Sequence, residues 1–236
     1  MNEPLVLLPA MMCDARVFSH QINALSRDRT VVVASLNGGE RMEEIASALL
    51  DQLPPRYAVF GLSFGGLIAM ELMRRAPERM TRACLMGCSP LPEAPADAAA
   101  REPLIISARI GRMDEAMNGT LRSDHLAPGP TRMQVMGQVR LMAEDAGAEA
   151  FVRQCRALQR RRDQQSTIRR LKIPVHVACG EHDTLVPIKR HQFLAELIPN
   201  STFSVIPDAG HLPPLEQPEA TLQMLQDWLA GPSVAR

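Results

Sequence analysis

Short apolar runs recur along this 236-residue chain, and an amphipathic segment separates most of them. Leu5–Leu8, Thr30–Ala34, Tyr57–Phe60, Ala83–Met86, Val175–Cys179 and Thr202–Ile206 have the length and β-branched content of buried strands. Ala15–Ser26, Met42–Leu53, Gly65–Arg75, Ile188–Leu197 and Pro218–Leu229 carry apolar residues at helical spacing. Alternation of this kind predicts a parallel sheet of about six strands, covered by helices on both faces. The length suits one well-filled core better than two independent ones.

One stretch breaks the rhythm. From about Ser89 to Arg170 there is no strand-like run, only a Pro- and Ala-rich opening followed by helical patterns at Pro103–Met117, Arg132–Ala143 and Glu149–Arg161. That is too long for a plain connection within a compact domain. We expect residues 1–88 and 171–236 to form the core and residues 89–170 a helical cap inserted into it.

Composition narrows the function classes. Lys plus Arg balance Asp plus Glu, so the formal net charge is zero, which argues against a nucleic-acid or anionic-membrane partner. No run approaches the roughly 18 apolar residues of a membrane span, and Met1-Asn2-Glu3-Pro4 does not open a signal peptide. The five cysteines have neither disulfide nor zinc spacing, so a reducing, cytoplasmic location is expected.

Gly61-Leu62-Ser63-Phe64-Gly65 stands between a strand-like run and a helical one. A serine on so tight a turn is held above the sheet edge, and small residues two before and two after it prevent clashes. Its hydroxyl needs a base. His211, in Asp208-Ala209-Gly210-His211-Leu212, follows the last strand and so lies at the same edge. His20, His176 and His191 fall within elements, and His125 falls in the insertion; all four read as surface or core-edge imidazoles. Asp183, in Gly180-Glu181-His182-Asp183, follows the fifth strand and can hold the imidazole in one tautomer. Glu181 and Asp208 are the weaker rivals for that role. The chemistry also needs two N–H donors for an oxyanion: Phe64 after the nucleophile, and one from the loop Pro9-Ala10-Met11-Met12. No metal-ligand spacing or dinucleotide loop is present, so no metal or cofactor is expected.

These segments resemble the α/β-hydrolase superfamily over essentially the whole chain. The likeness is greatest to small capped bacterial carboxylesterases of the pimeloyl-acyl-carrier-protein methyl ester esterase type. It is carried by Leu7–Asp14, Phe60–Leu67, Pro174–Pro187 and Gly210-His211. The resemblance implies an α/β-hydrolase fold, a triad of Ser63, Asp183 and His211, and Met11 with Phe64 as oxyanion-hole amides. It implies hydrolysis of small or medium carboxylic esters through an acyl-enzyme. Relatives usually carry His-Gly where this chain has Pro9-Ala10, and the early first strand predicts six parallel strands rather than the family's eight.

Methionines cluster in the oxyanion loop and the insertion, and aromatics are scarce. Met12, Met113, Met117 and Met136, with Leu212 beside the histidine, are candidates for an apolar, adaptable pocket wall, as are Met133 and Met142. They serve equally well as gap-fillers in the insertion's own core. Arg160-Arg161-Arg162 could meet an acidic substrate or an acidic carrier protein, although a solvated helix face is the better reading. Lactone opening, C–C bond hydrolysis and cofactor-free perhydrolysis use the same triad and stay open. A ligand-binding protein that kept the fold is disfavoured by the complete triad.

Overall fold

The computed structural model describes residues 3–234. The strands β1 (Leu5–Leu8), β2 (Val31–Val33), β3 (Tyr57–Leu62), β4 (Met80–Met86), β5 (Val175–Gly180) and β6 (Ser201–Ile206) form one sheet. Its order is β2-β1-β3-β4-β5-β6, and all five pairings are parallel. Each strand lies on an apolar run. β4 starts earlier than its apolar pattern because it contains Arg82, whose buried guanidinium is paid off by the carbonyls of Trp228, Leu229 and Gly231 at 3.0, 2.9 and 2.8 Å.

Helix α1 (Ser19–Leu25) connects β1 to β2, α2 (Met42–Leu50) precedes β3, and α3 (Phe64–Arg75) follows it. Between β4 and β5 the chain forms α4 (Pro95–Arg109), α5 (Met113–Thr120), α6 (Arg132–Gln159) and the short α7 (Gln165–Ile168). Then come α8 (Ile188–Leu197), short α9 (Pro213–Glu216) and α10 (Pro218–Ala230). Two boundaries differ from expectation. α4 begins at Pro95, where the missing proline N–H costs nothing, and carries Pro103 in its interior rather than starting there. It ends at Gly111, whose φ of 84° suits a left-handed terminus and separates α5 from it. The two helices expected at 132–143 and 149–161 form one run broken at Gly147, with φ 79° and ψ 169°.

Strand alternation divides the core. Leu5, Leu7, Phe60 and Met86 face one layer; Val6, Leu8, Val59 and Leu85 face the other. Ile105, Met117, Val139 and Phe151 of the insertion belong to the first layer, continuous with the sheet. Fully burying a side chain such as Phe151 is worth roughly 1.5–3 kcal/mol, so the insertion is held by a core it shares with the sheet.

The chain leaves β1 toward β2 on one side and continues through β3 on the other. A crevice therefore opens past the carboxyl ends of β1 and β3, where the Met11 loop meets the turn after β3. That turn is tight: a Cβ on Gly65 would lie 2.0 Å from the Leu8 carbonyl oxygen. Gly65→Ala should cost about 1–3 kcal/mol or more through forced backbone movement. Gly137→Ala in α6, where a Cβ meets nothing within 4 Å, should gain about 0.5–1 kcal/mol. Urea unfolding of the two variants beside the parent measures both.

Candidate active site

β3 passes into α3 through Ser63, whose φ of 52° and ψ of −112° lie outside the regions a non-glycine residue prefers. Strain of about 1–3 kcal/mol is typical of such a position. It is held by the Ser63 N–H, which donates to the Met86 carbonyl at 2.7 Å. A Cβ on Gly61 would come within 2.7 Å of the Gly65 carbonyl oxygen, so both flanking glycines are required by contact. Ser63 thus sits at the N-terminus of α3, where the first N–H groups lack helical partners and the dipole is positive.

The loops after β5 and β6 interlock. His182 N–H donates to Ala209 O at 2.7 Å, and a Cβ on Gly180 would lie 2.1 Å from Gly210 O. That contact brings Asp183 to His211. His211 Nδ1 is 2.9 Å from Asp183 Oδ2, and His211 Nε2 is 2.9 Å from Ser63 Oγ. The network assigns Nδ1–H as donor to the carboxylate and the serine hydroxyl as donor to Nε2. Asp183 Oδ1 accepts the Val186 N–H at 2.9 Å. Both Asp183 and His211 are buried.

Burial alone would lower the His211 pKa, but attraction to Asp183, the hydrogen bond between them and the charge of Glu216 raise it above 6.5. Burial would raise Asp183, yet His211 and the Val186 amide hold it below 3.8. His191, buried behind this pair, is pushed down to about 4 by burial and stays neutral at physiological pH.

A cavity of about 480 Å³ opens over Ser63 and His211, a size typical of small-molecule sites. Its floor includes Met11 and Phe64; its walls come largely from the insertion, with Arg101, Leu104, Thr120 and Arg161 among them.

The sequence model of the alpha/beta hydrolase family matches residues 5–224. The chain belongs to that family. A pimeloyl-[acyl-carrier protein] methyl ester esterase from Aromatoleum aromaticum is 30% identical over 256 residues, spanning 98% of this chain and 100% of the relative. A putative carbamate hydrolase from Cronobacter sakazakii is 28% identical over 247 residues, spanning 89% and 84%. Among solved structures, a thermophilic esterase from Thermogutta terrifontis, with malate bound, has a TM-score of 0.89 at 26% identity and covers 98% of this chain and 90% of its own. With such relatives over nearly its full length, the chain is an esterase-like hydrolase.

Within this alpha/beta hydrolase frame, the rivals of Asp183 stand apart from the histidine. Glu181 accepts the Asp208 N–H at 3.2 Å, and Asp208 is exposed. Glu181, His182 and Asp208 bring ligand atoms within 4.8 Å of one another at this rim, a spacing common among exposed acidic groups. Met11, Met117 and Leu212 line a small recess beside Ser63 and His211.

The other methionines are misplaced as wall residues. Met12 is buried, its φ is 56°, and its N–H donates to Gln154 Oε1 at 2.9 Å. Met136 is buried in the shared core, and Met113 packs half-buried against it. Met142 borders a different cavity near Arg16 and His20, and Met133 points into solvent. Most apolar surface on these helices is drawn to the core shared with the sheet, so the cavity wall combines Leu104 and Leu158 with polar side chains such as Thr120, Arg101 and Arg161.

Glu216 was missed in the sequence, and His125 was read there only as a surface or core-edge imidazole. Glu216 Oε2 accepts the N–H groups of Gly210 and Ala127 at 2.8 and 2.7 Å, and Oε1 accepts that of Leu212 at 2.8 Å. It therefore clasps His211 from both sides and ties it to the insertion. His125 is buried, and its carbonyl accepts the His211 N–H at 2.9 Å. The Glu-x-Pro step after Gly-His was the one available pointer to Glu216.

Two predictions follow from this geometry. A glutamine at 216 replaces one acceptor oxygen with a donor facing amides, so Glu216→Gln should cost about 1–3 kcal/mol in stability and lower kcat more than it raises KM. A general base must be neutral to accept a proton, so with His211 in that role the acid limb of kcat/KM is expected above 6.5 in the parent. Asp183→Asn should move that limb down and reduce kcat by about 10⁴, as in the best-studied triad. The sign for stability is opposite: the His211⁺–Asp183⁻ pair contributes fully between about 3.8 and 6.5, and its contribution is lost as pH rises through the raised histidine value. Rate–pH profiles of the parent and both variants test these expectations.

Proposed function

We propose that this chain is a serine carboxylesterase that cleaves small or medium carboxylic esters through an acyl-enzyme. The observation that carries the reading is the unbroken relay Ser63 Oγ–His211–Asp183, with 2.9 Å at each step, opening into one cavity. His211 would take the hydroxyl proton as Ser63 attacks the ester carbonyl, while Asp183 orients the ring and stabilises the imidazolium. The same proton would then go to the departing alkoxide. Water, activated by His211, would release the acid and restore Ser63.

The developing oxyanion is assigned to the amides of Phe64 and Met11. Phe64 is the first residue of α3, so its N–H has no helical acceptor. The Met12 N–H is occupied by Gln154 and Met11 borders the cavity beside Ser63, which supports the Met11 amide as the donor from the first loop. Such donors are worth roughly 2.7–4 kcal/mol each in the transition state. Residues 89–170 act in this reading as a cap whose inner wall selects the substrate.

A free small-molecule ester fits better than a protein-borne one. Arg160 and Arg162 pair with Glu40 and Glu43 at 2.9 Å each, and Arg161 lines the cavity, so the arginine run is no open basic surface. A fluorophosphonate probe should add one label per chain, and Ser63→Ala should abolish both labelling and p-nitrophenyl acetate hydrolysis while leaving the fold intact. Labelling that persists in the alanine variant overturns the assignment. Lactones and diketones run beside the esters show whether another bond is the preferred target.

A further inference from the structure

The wall of the Ser63 cavity carries more positive than negative buried charge. Arg101 and Arg161 both line it, and their side chains are only 19% and 20% exposed. Between them lies Glu93, 3% exposed. The pairing is unequal. Arg101 engages Glu93 through both ends of its fork, with Nε–H and Nη2–H donating at 2.9 and 2.7 Å. The carboxylate is thereby used in the two-pronged geometry that guanidinium favours.

Arg161 is left with less. Its Nε–H donates to the Leu91 carbonyl at 3.2 Å, and Nη1 stands 3.6 Å from Glu93 Oε1, beyond hydrogen-bond reach. Burial pulls its guanidinium below its ordinary range even though Glu93 opposes this. The other charged groups at the cavity, Asp97 and Arg122, are solvent-exposed, and Arg122 is paired with Asp124 at 2.9 Å. A largely buried guanidinium that borders a cavity and donates only to the Leu91 carbonyl is suited to a planar anion, and a carboxylate fits its fork.

We infer that Arg161 forms a carboxylate subsite in the Ser63 cavity, so that the preferred substrates are esters carrying a second, ionised carboxyl group. This rests on the esterase reading above, since the ester is placed at Ser63. The carboxylate can belong to the acyl part, as in a monoester of a dicarboxylic acid, or to the alcohol part, as in an acylated hydroxy acid. Its place in the cavity is the same in both.

The test has two independent parts. First, monomethyl esters of linear dicarboxylic acids are compared with methyl esters of length-matched monocarboxylic acids, and O-acetyl hydroxy acids with their amides. In the parent the anionic member of at least one series should have the higher kcat/KM. The anionic-to-neutral ratio should fall about 10- to 100-fold in Arg161→Gln, the range expected for hydrogen bonds to a charged group, and only partly in Arg161→Lys, which keeps the charge but not the fork. Ratios at or below one in the parent, or unchanged in Arg161→Gln, overturn the subsite. Second, calorimetry with glutarate and adipate reads the subsite without turnover: affinity should drop at least about 10-fold in Arg161→Gln. Equal affinity in parent and variant, or no binding by either, also overturns it. Failure of the esterase reading looks different, because no neutral ester would be cleaved and Ser63 would take no label. Matched thermal unfolding of the variants establishes that they fold.

Discussion

Backbone meets backbone at the carboxyl edge of this sheet with no room for side chains, and the hydrogen-bonded relay of Ser63, His211 and Asp183 depends on that. Gly65 lies against the Leu8 carbonyl, Gly61 against the first turn of α3, and Gly180 against Gly210 O. The first two contacts fix the loop after β1 against the turn after β3, which sets Met11 beside Ser63. The third locks the loop after β5 to the loop after β6, which sets Asp183 beside His211. Ser63 can then occupy a strained φ because the Met86 carbonyl and the two glycines leave it no easier conformation. Glycine is needed here for space rather than for unusual dihedrals, since none of these four glycines has a φ in the left-handed region.

The insertion is bound to the same loops. Its Gln154 side chain takes the Met12 amide, its His125 carbonyl takes the His211 amide, and its Ala127 amide reaches Glu216, which also holds Gly210 and Leu212. A helical segment that shares the hydrophobic core and supplies hydrogen bonds to the loops carrying Met12 and His211 contributes to the geometry of the Ser63–His211–Asp183 relay as well as to the cavity wall. Two further buried histidines follow from this packing. His125 borders the Ser63 cavity and His191 is buried near Asp183, and burial lowers the pKa of both.

Much of this was legible in the sequence, for physical reasons that differ by element. The central strands β1, β3, β4 and β5 are buried on both faces and read as apolar runs, while the edge strands β2 and β6 were found by their β-branched residues although they are less buried. β4 was shortened because Arg82 is polar, held by Glu3 and by carbonyls at the end of the last helix. Ser63, Asp183 and His211 announced themselves because each follows a strand at the same edge. The start of α4 was missed because Pro103 looks like a helix start when Pro95 is read as loop. The pocket was the larger failure. Helical spacing shows that Met113, Met117 and Met136 lie on apolar faces but not what those faces meet, and the shared core claimed most of them. Arg161 was read as surface because its neighbours Arg160 and Arg162 are indeed surface. A run of three charges on a chain turning out of a helix points in three directions, and only packing tells which one is inward.

The same bonds determine how a ligand can enter. Lifting the insertion from the sheet would expose Phe151, Ile105 and Val139 and break the Met12–Gln154, His211–His125 and Ala127–Glu216 hydrogen bonds. Each hydrogen bond is worth about 0.5–1.5 kcal/mol net, and somewhat more where a charged acceptor is involved. Each fully buried side chain adds about 1.5–3 kcal/mol. Such an opening approaches the stability of a whole domain, roughly 5–15 kcal/mol, and it would dismantle the His211 clasp as it proceeded. Separating the insertion from the sheet would therefore be costly, and its exposed Asp97 and Arg122 border the Ser63 cavity together with the less exposed Arg101, Glu93 and Arg161. The wall the insertion gives that cavity carries Leu104 and Leu158 beside Arg101 and Arg161, so a molecule within it meets buried charge as well as apolar surface.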